Sequence, residues 1–176
     1  MSRKSKIGLA VGLAALVVVG AGGKLVHELS QDTVNGLISC YGSAQTPIAW
    51  MCKKVLVVKL RSAENVALLN KHGAARFPVM LSNEVAGREM LRILVSHGVD
   101  VNAVDQDSSA RFTPLHLAAM DATLWQVELL LEHGADPDAI DASGMTPLDR
   151  ARKVQQEYPD AGRTAIIQML EARTSR

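Results

Sequence analysis

The sequence of 176 residues is poor in aromatics: two Trp, two Tyr and two Phe, 3% in all. Sheet-rich folds use those side chains on their half-buried strands, so their scarcity points away from such folds. An excess of charge is also missing. Nineteen Lys and Arg stand against eighteen Asp and Glu, a formal net charge of +1. That offers little to a phosphate backbone and disfavours a broad nucleic-acid-binding surface. A disordered chain would combine low hydrophobicity with strong net charge, whereas 48% of these residues are hydrophobic. Cysteine is limited to Cys40 and Cys52, and neither has a His or a second Cys at metal-ligand spacing. What is abundant is Leu, Val, Ala and Ile, in a length that fits about one domain. Together these features describe a compact helical chain.

Residues 1–23 read as a separate segment. Arg3, Lys4 and Lys6 precede a charge-free run from Ile7 to Gly23, which ends at Lys24. A basic start, a short apolar stretch and then small residues is the order of a secretory signal. Cleavage fits after Ala21 or after Gly23. The uncharged run is also at the lower limit of length for a membrane-spanning helix, so an uncleaved anchor is the alternative. Under either reading the basic side stays in the cytoplasm and the remainder is delivered outside it. Without the three N-terminal charges, sixteen basic residues face eighteen acidic ones, and the exported part is mildly acidic. In an oxidising compartment Cys40 and Cys52, twelve positions apart, can form a disulfide. The plain alternative is two small buried apolar side chains.

A repeat runs through the exported part. Thr113-Pro114-Leu115-His116-Leu117-Ala118 recurs further along as Thr146-Pro147-Leu148-Asp149-Arg150-Ala151. Leu94-Val95-Ser96-His97-Gly98-Val99-Asp100 is echoed by Leu130-Leu131-Glu132-His133-Gly134-Ala135-Asp136, and Pro78 stands as far before His97 as Pro114 does before His133. A Thr before Pro caps a helix, and Pro at the first helical position loses no hydrogen bond. The pattern predicts a short helix from Pro114 to about Met120, a turn at Asp121-Ala122, and a second helix from Leu124 to Glu132 that Gly134 terminates. Helices this short are marginal alone, so stacking on the next copy must bury their apolar faces.

The unit resembles the ankyrin repeat, which has a period of about 33 residues and a T-P-L-H-x-A motif. Thr113 and Thr146 stand one such period apart, and the motif is met in full at Thr113 to Ala118. The resemblance implies an all-α repeat solenoid of about three to four helix-turn-helix repeats with short hairpin fingers, preceded by the N-terminal signal or anchor helix. Residues 24–45 would form an N-terminal helical cap over the first repeat, helical from Asp32 to Cys40 and broken at Gly42-Ser43. The repeat domain would fill 46–176: a degenerate unit at 46–76, repeats at 77–112 and 113–145, and a C-terminal repeat at 146–176. In the first unit Pro47 stands farther from His72 than Pro78 does from His97, and His72 is followed almost at once by Phe77-Pro78. That crowding predicts a much reduced finger. Additional residues enlarge the finger at Gln106–Phe112. Pro159 and Gly162 predict a long inter-helix turn over Gln155–Arg163, followed by a helix from Thr164 to about Ala172.

His72, His97 and His133 each precede a glycine, and stacked repeats would line them up. A metal row is outweighed by the suitability of a basic residue at a helix C-terminus, and no metal or other cofactor is expected. Asp100, Asp105, Asp107, Asp136, Asp138 and Asp141 cluster in the fingers, where aspartate usually makes turn hydrogen bonds. No loop has the spacing of a dedicated calcium site. No nucleophile elbow, phosphate loop or zinc-protease motif is present, Ser108-Ser109 reads as a finger tip, and no catalytic residue is assigned. The chain is therefore expected not to be an enzyme. In the family, partners are gripped by finger tips and by the exposed side of each first helix. Carried onto this sequence, those positions are Val104, Gln106, Asp107, Arg111 and Phe112 in one finger. The next finger supplies Ile140, Ala142, Ser143 and Met145, and the helices supply Met120, Asp121 and Lys153. Phe112, Met120, Ile140 and Met145 would form an apolar set beside acids. Trp125 stands where the family carries an outward-facing polar residue, and is expected either to pack on the long finger or to mark a second contact face.

A signal followed by a short array is similar to exported bacterial ankyrin proteins, which implies a periplasmic protein, soluble or anchored to the inner membrane. Some of those proteins are immunity proteins that block secreted toxins, and that role is the first expectation here. The second is an accessory scaffold for a resident envelope enzyme, such as an antioxidant enzyme. Both require one protein partner and no nucleic acid.

Overall fold

A computed structural model describes residues 34–43 and 46–174. The expected signal or anchor, residues 1–23, lies outside them. The described chain forms α1 (Val34–Ser43), α2 (Thr46–Lys59), α3 (Ala63–Lys71), α4 (Arg76–Val79), α5 (Glu84–Ser96), α6 (Pro114–Asp121), α7 (Leu124–Glu132), α8 (Pro147–Glu157) and α9 (Ala161–Thr174). No strand occurs among the described residues, and the helices α2 to α9 form four successive pairs in chain order.

The Thr-Pro starts act as their chemistry requires. The Thr113 hydroxyl accepts from the His116 amide and the Thr146 hydroxyl from the Asp149 amide, while the His116 ring and the Asp149 carboxylate reach back to the capping backbone. Where the Thr is missing, the helix shrinks: α4 has Ala75 at its cap position, no side-chain cap and a single turn. Asn83 then caps α5 through its side chain. Each His-Gly pair closes a second helix. Gly73, Gly98 and Gly134 all take positive φ, the left-handed conformation that ends helices.

One continuous apolar seam holds the stack. Cys52, Leu56 and Leu60 face inward from α2 and its turn, Met90, Leu91 and Leu94 from α5, Leu115, Ala118 and Ala119 from α6, and Ile166 and Leu170 from α9. A fully buried Leu or Ile stabilises the fold by about 1.5–3 kcal/mol relative to exposure. The first helices stack as α4 on α6 on α8, and α9 packs back on α6, α7 and α8.

Helix α1 ends at Ser43, within the pair Gly42-Ser43 where a break is expected. It packs chiefly on α2 of the first unit and also touches α3, α4 and α5. Gly42 lies against the Leu81 side chain, just after the one-turn α4. A disulfide joins Cys40 to Cys52 across α1 and α2, with Cα atoms 6.1 Å apart. Tyr41 and Lys53 both hydrogen-bond to Glu89 and so tie the same two helices to α5.

The C-terminal repeat departs from the expected long turn. Helix α8 continues to Glu157 and α9 already begins at Ala161, leaving only a short link between them. Arg163, expected in that turn, is buried in α9. Its guanidinium donates to the Met120 carbonyl at 3.0 Å and to the Tyr158 carbonyl at 2.6 Å, so it closes the C-terminus of α6. Gly162 makes this approach feasible, since a Cβ there would lie 2.4 Å from the Ala122 carbonyl oxygen. Trp125 packs against the apolar core. It is half-buried, with its ring over Gly87 of α5.

Candidate partner-binding surface

The fingers are held rigid by backbone and short polar side chains. The Asp100 amide donates to Asn70 Oδ1 at 2.8 Å, and Asn70 Nδ2 donates to the Gly98 carbonyl at 3.3 Å. One repeat later Asn102 makes the same pair of bonds with the Asp136 amide, at 2.8 Å, and the Gly134 carbonyl, at 3.2 Å. The first unit has almost no finger, so a helical Asn takes over the task of a finger Asn. These two residues were not singled out by sequence reasoning. The available signal was Asp100-x-Asn102 against Asp136-x-Asp138: the amide-bearing residue gives way to an acid in the last finger.

The long finger is anchored on both sides. The Gln106 amide donates to the Lys71 carbonyl, and the Ala142 amide of the next finger donates to the Ala110 carbonyl. Asp105 accepts from the Asp107 amide and from Arg76, and these contacts hold its carboxyl below the usual range, the amide contributing most. His72 Nδ1 lies 3.3 Å from Asp107 and 3.9 Å from Asp105. Each of the three residues offers one ligand atom within 4.8 Å of the others, the geometry a cation would need. Both Asp105 oxygens are already engaged, however, and the Arg76 guanidinium repels a cation there. His97 and His133 turn back on their own helices, Nδ1 meeting the Ile93 and Leu129 carbonyls at 2.8 and 2.9 Å.

The joint beneath the second finger is a buried polar network. His116 Nε2 lies 2.9 Å from the Met145 carbonyl, which can only accept, so Nε2 carries the proton and Nδ1 accepts from the Thr113 amide. Burial keeps this ring neutral by pushing its pKa down. Asp141 is buried beside it. Burial alone would raise its carboxyl, yet Arg150 at 2.5 Å and the amides of Ser143 and Met145 bring it down to about 2. The Phe112 ring stacks 5.9 Å from the His116 ring and lies under the Arg150 guanidinium at 5.0 Å.

The residues assigned to partner binding separate into two groups. Gln106, Asp107, Arg111, Ala142 and Ser143 are exposed on the fingers, with Ile140 67% exposed; Asp121 and Lys153 are exposed on the first helices. Val104, Phe112, Met120 and Met145 are half-buried. Phe112 and Met145 are engaged in the network just described, so they shape the second finger from below. Arg111 holds a positive φ of 52° at the base of the long finger. Met120 and Asp121 line a groove along the first helices together with Val79, Met80, Leu117 and Gln126. Met80, 67% exposed, is its most prominent apolar residue and was missed because α4 lacks the motif that marks the other first helices. The groove is open to solvent and lined mainly by apolar side chains, suited to gripping a protein rather than enclosing a small molecule.

Stacked helix pairs joined by fingers define a repeat solenoid. A family model for ankyrin repeats (three copies) matches residues 19–141 and 79–170, and the chain belongs to the ankyrin repeat family. Ankyrin repeats are protein–protein interaction modules and are generally non-catalytic. The chain is 42% identical over 77 residues to the potassium channel AKT1 of Oryza sativa subsp. indica, a match covering 44% of this chain and 8% of the channel. It is 48% identical over 62 residues to the ARF GTPase-activating protein Git of Drosophila melanogaster, covering 35% and 8%. With the palmitoyltransferase AKR1 of Lachancea kluyveri it shares 46% identity over 59 residues, covering 34% and 8%. The chain thus spans less than a tenth of the length of these curated relatives, whose names describe three different activities.

Proposed function

We propose that this chain is an exported, non-catalytic binding protein that neutralises a secreted antibacterial toxin, acting as an immunity protein from the periplasmic side of the inner membrane. The observation that carries the reading is the solvent-open groove at Met80, Leu117, Met120 and Asp121; Asp107 and Ile140 are exposed separately, on the fingers. From Glu64 onward the sequence has sixteen acidic and eleven basic residues, a sign that favours a basic or cation-dependent toxin surface. What the relatives share with this chain is the module, so their own activities are not transferred to it.

The test is competition between a strain lacking the chain and its parent, complemented with wild type or with Met80→Asp plus Ile140→Asp. An immunity protein leaves the deletion strain susceptible to its siblings, and the double variant fails to protect while remaining folded. A deletion strain that resists its siblings but loses the activity of a resident envelope enzyme overturns the immunity role in favour of the accessory scaffold.

A further inference from the structure

The end of the solenoid at α2 differs from the rest in charge and in what it exposes. No Asp or Glu occurs between Asp32 and Glu64, while Lys53, Lys54, Lys59 and Arg61 fall in that interval. The molecule is therefore polarised, with a basic first unit and an acidic array behind it. Helix α2 buries Cys52 and Leu56, with Leu60 following in its turn, and turns the opposite line outward: Pro47, Trp50, Lys54, Val58 and then Arg61, at helical spacing. Trp50 is 60% exposed and Val58 61%. Lys54 Nζ lies 5.5 Å from the centre of the Trp50 ring, so the cation and the aromatic side chain share one patch.

An exposed Trp and an aliphatic residue flanked by Lys and Arg on one helical face is the composition of a surface that lies in the headgroup region of a bilayer. The indole is apolar in body and polar at its N–H, and long basic side chains lay their stems on apolar surface while their charges meet anionic phosphates. Position on the chain favours the same occupant. Only residues 24–33 separate the charge-free run Ile7–Gly23 from α1, and a chain of that length spans at most about 35 Å. A run held in a bilayer would keep this face within reach of the headgroups.

We infer that the exposed face of α2, centred on Trp50, Lys54, Val58 and Arg61, docks on an anionic lipid surface and turns the acidic fingers away from it. The inference rests on the anchored alternative for residues 1–23 and is independent of which protein the fingers grip.

The full chain carrying Trp125→Phe, so that Trp50 is the sole indole, is added to vesicles of phosphatidylcholine with phosphatidylglycerol, with or without brominated acyl chains. Flotation reads the anchor, and Trp50 emission reads the docking. The expected result is flotation together with a blue shift and bromolipid quenching of Trp50, with the quenching lost in the Lys54→Glu/Arg61→Glu variant although that variant still floats. If Trp125→Phe does not fold, the difference between wild type and Trp50→Phe gives the same reading. Flotation with Trp50 still open to acrylamide overturns the docking and leaves the anchor standing. A chain that neither floats nor is quenched overturns both. Quenching of equal size in pure phosphatidylcholine overturns the anionic specificity.

Discussion

Replacing Asp141 by Asn tests whether an ionised carboxylate, rather than the shape of the turn, fastens the second finger. The side chain is fully covered and accepts from Arg150, from the Ser143 amide and from the Met145 amide. A carboxyl whose value falls from 3.8 to about 2 on folding contributes about 2 kcal/mol at neutral pH. The sign follows from the direction of the shift. Because the folded value is the lower one, the stabilisation is complete above the unfolded value near 4, and is lost as pH falls through about 2. Asn keeps the volume and one acceptor but not the charge, so Asp141→Asn is expected to lose about 2 kcal/mol at pH 7. At pH 3 the gap between variant and wild type should shrink to roughly half. Urea unfolding followed by far-UV circular dichroism at both pH values measures it. A gap unchanged between pH 7 and pH 3 would refute the reasoning, since an isosteric packing defect does not titrate.

The same geometry fixes three further outcomes. Gly162→Ala should lower stability by about 1–3 kcal/mol, because its Cβ would lie 2.4 Å from a backbone oxygen beside the carbonyl that Arg163 grips; a thermal melt reads it. Asn102→Ala removes two finger bonds and should cost about 1–2 kcal/mol, with faster amide exchange at Asp136 as its local signature. Reducing the Cys40–Cys52 bond should cost up to about 3 kcal/mol by unlinking α1 from α2, seen as a lower urea midpoint under reductant.

The repeat was legible because it is local chemistry. Thr113 and Thr146 cap, Pro114 and Pro147 begin, and His-Gly pairs end helices through contacts within a few residues, so motif and spacing were enough to place α6, α7 and the start of α8. The reduced first finger followed from counting residues. The binding surface was less legible. Phe112 and Ile140 are both large apolar residues at finger positions, yet one ring lies between His116 and Arg150 while the other side chain is 67% exposed. No periodicity separates them, because the Arg150 that covers Phe112 belongs to the C-terminal repeat. Met80 escaped notice for the converse reason: its helix lacks the cap that would have announced it.

Residue type and short-range order suffice for the family, the period, most helix starts and stops, and the imbalance between a basic first unit and an acidic array. What fills the gaps between units depends on packing across the stack. Helix α1 lies against Leu81 just after the one-turn α4, Arg163 closes α6 from a distant helix, Trp125 covers Gly87, and Asn70 substitutes for a missing finger. The physical reason is that repeats bury their surfaces against one another, so the residue that completes a cap or covers a glycine belongs to a neighbour whose distance along the chain carries no signal.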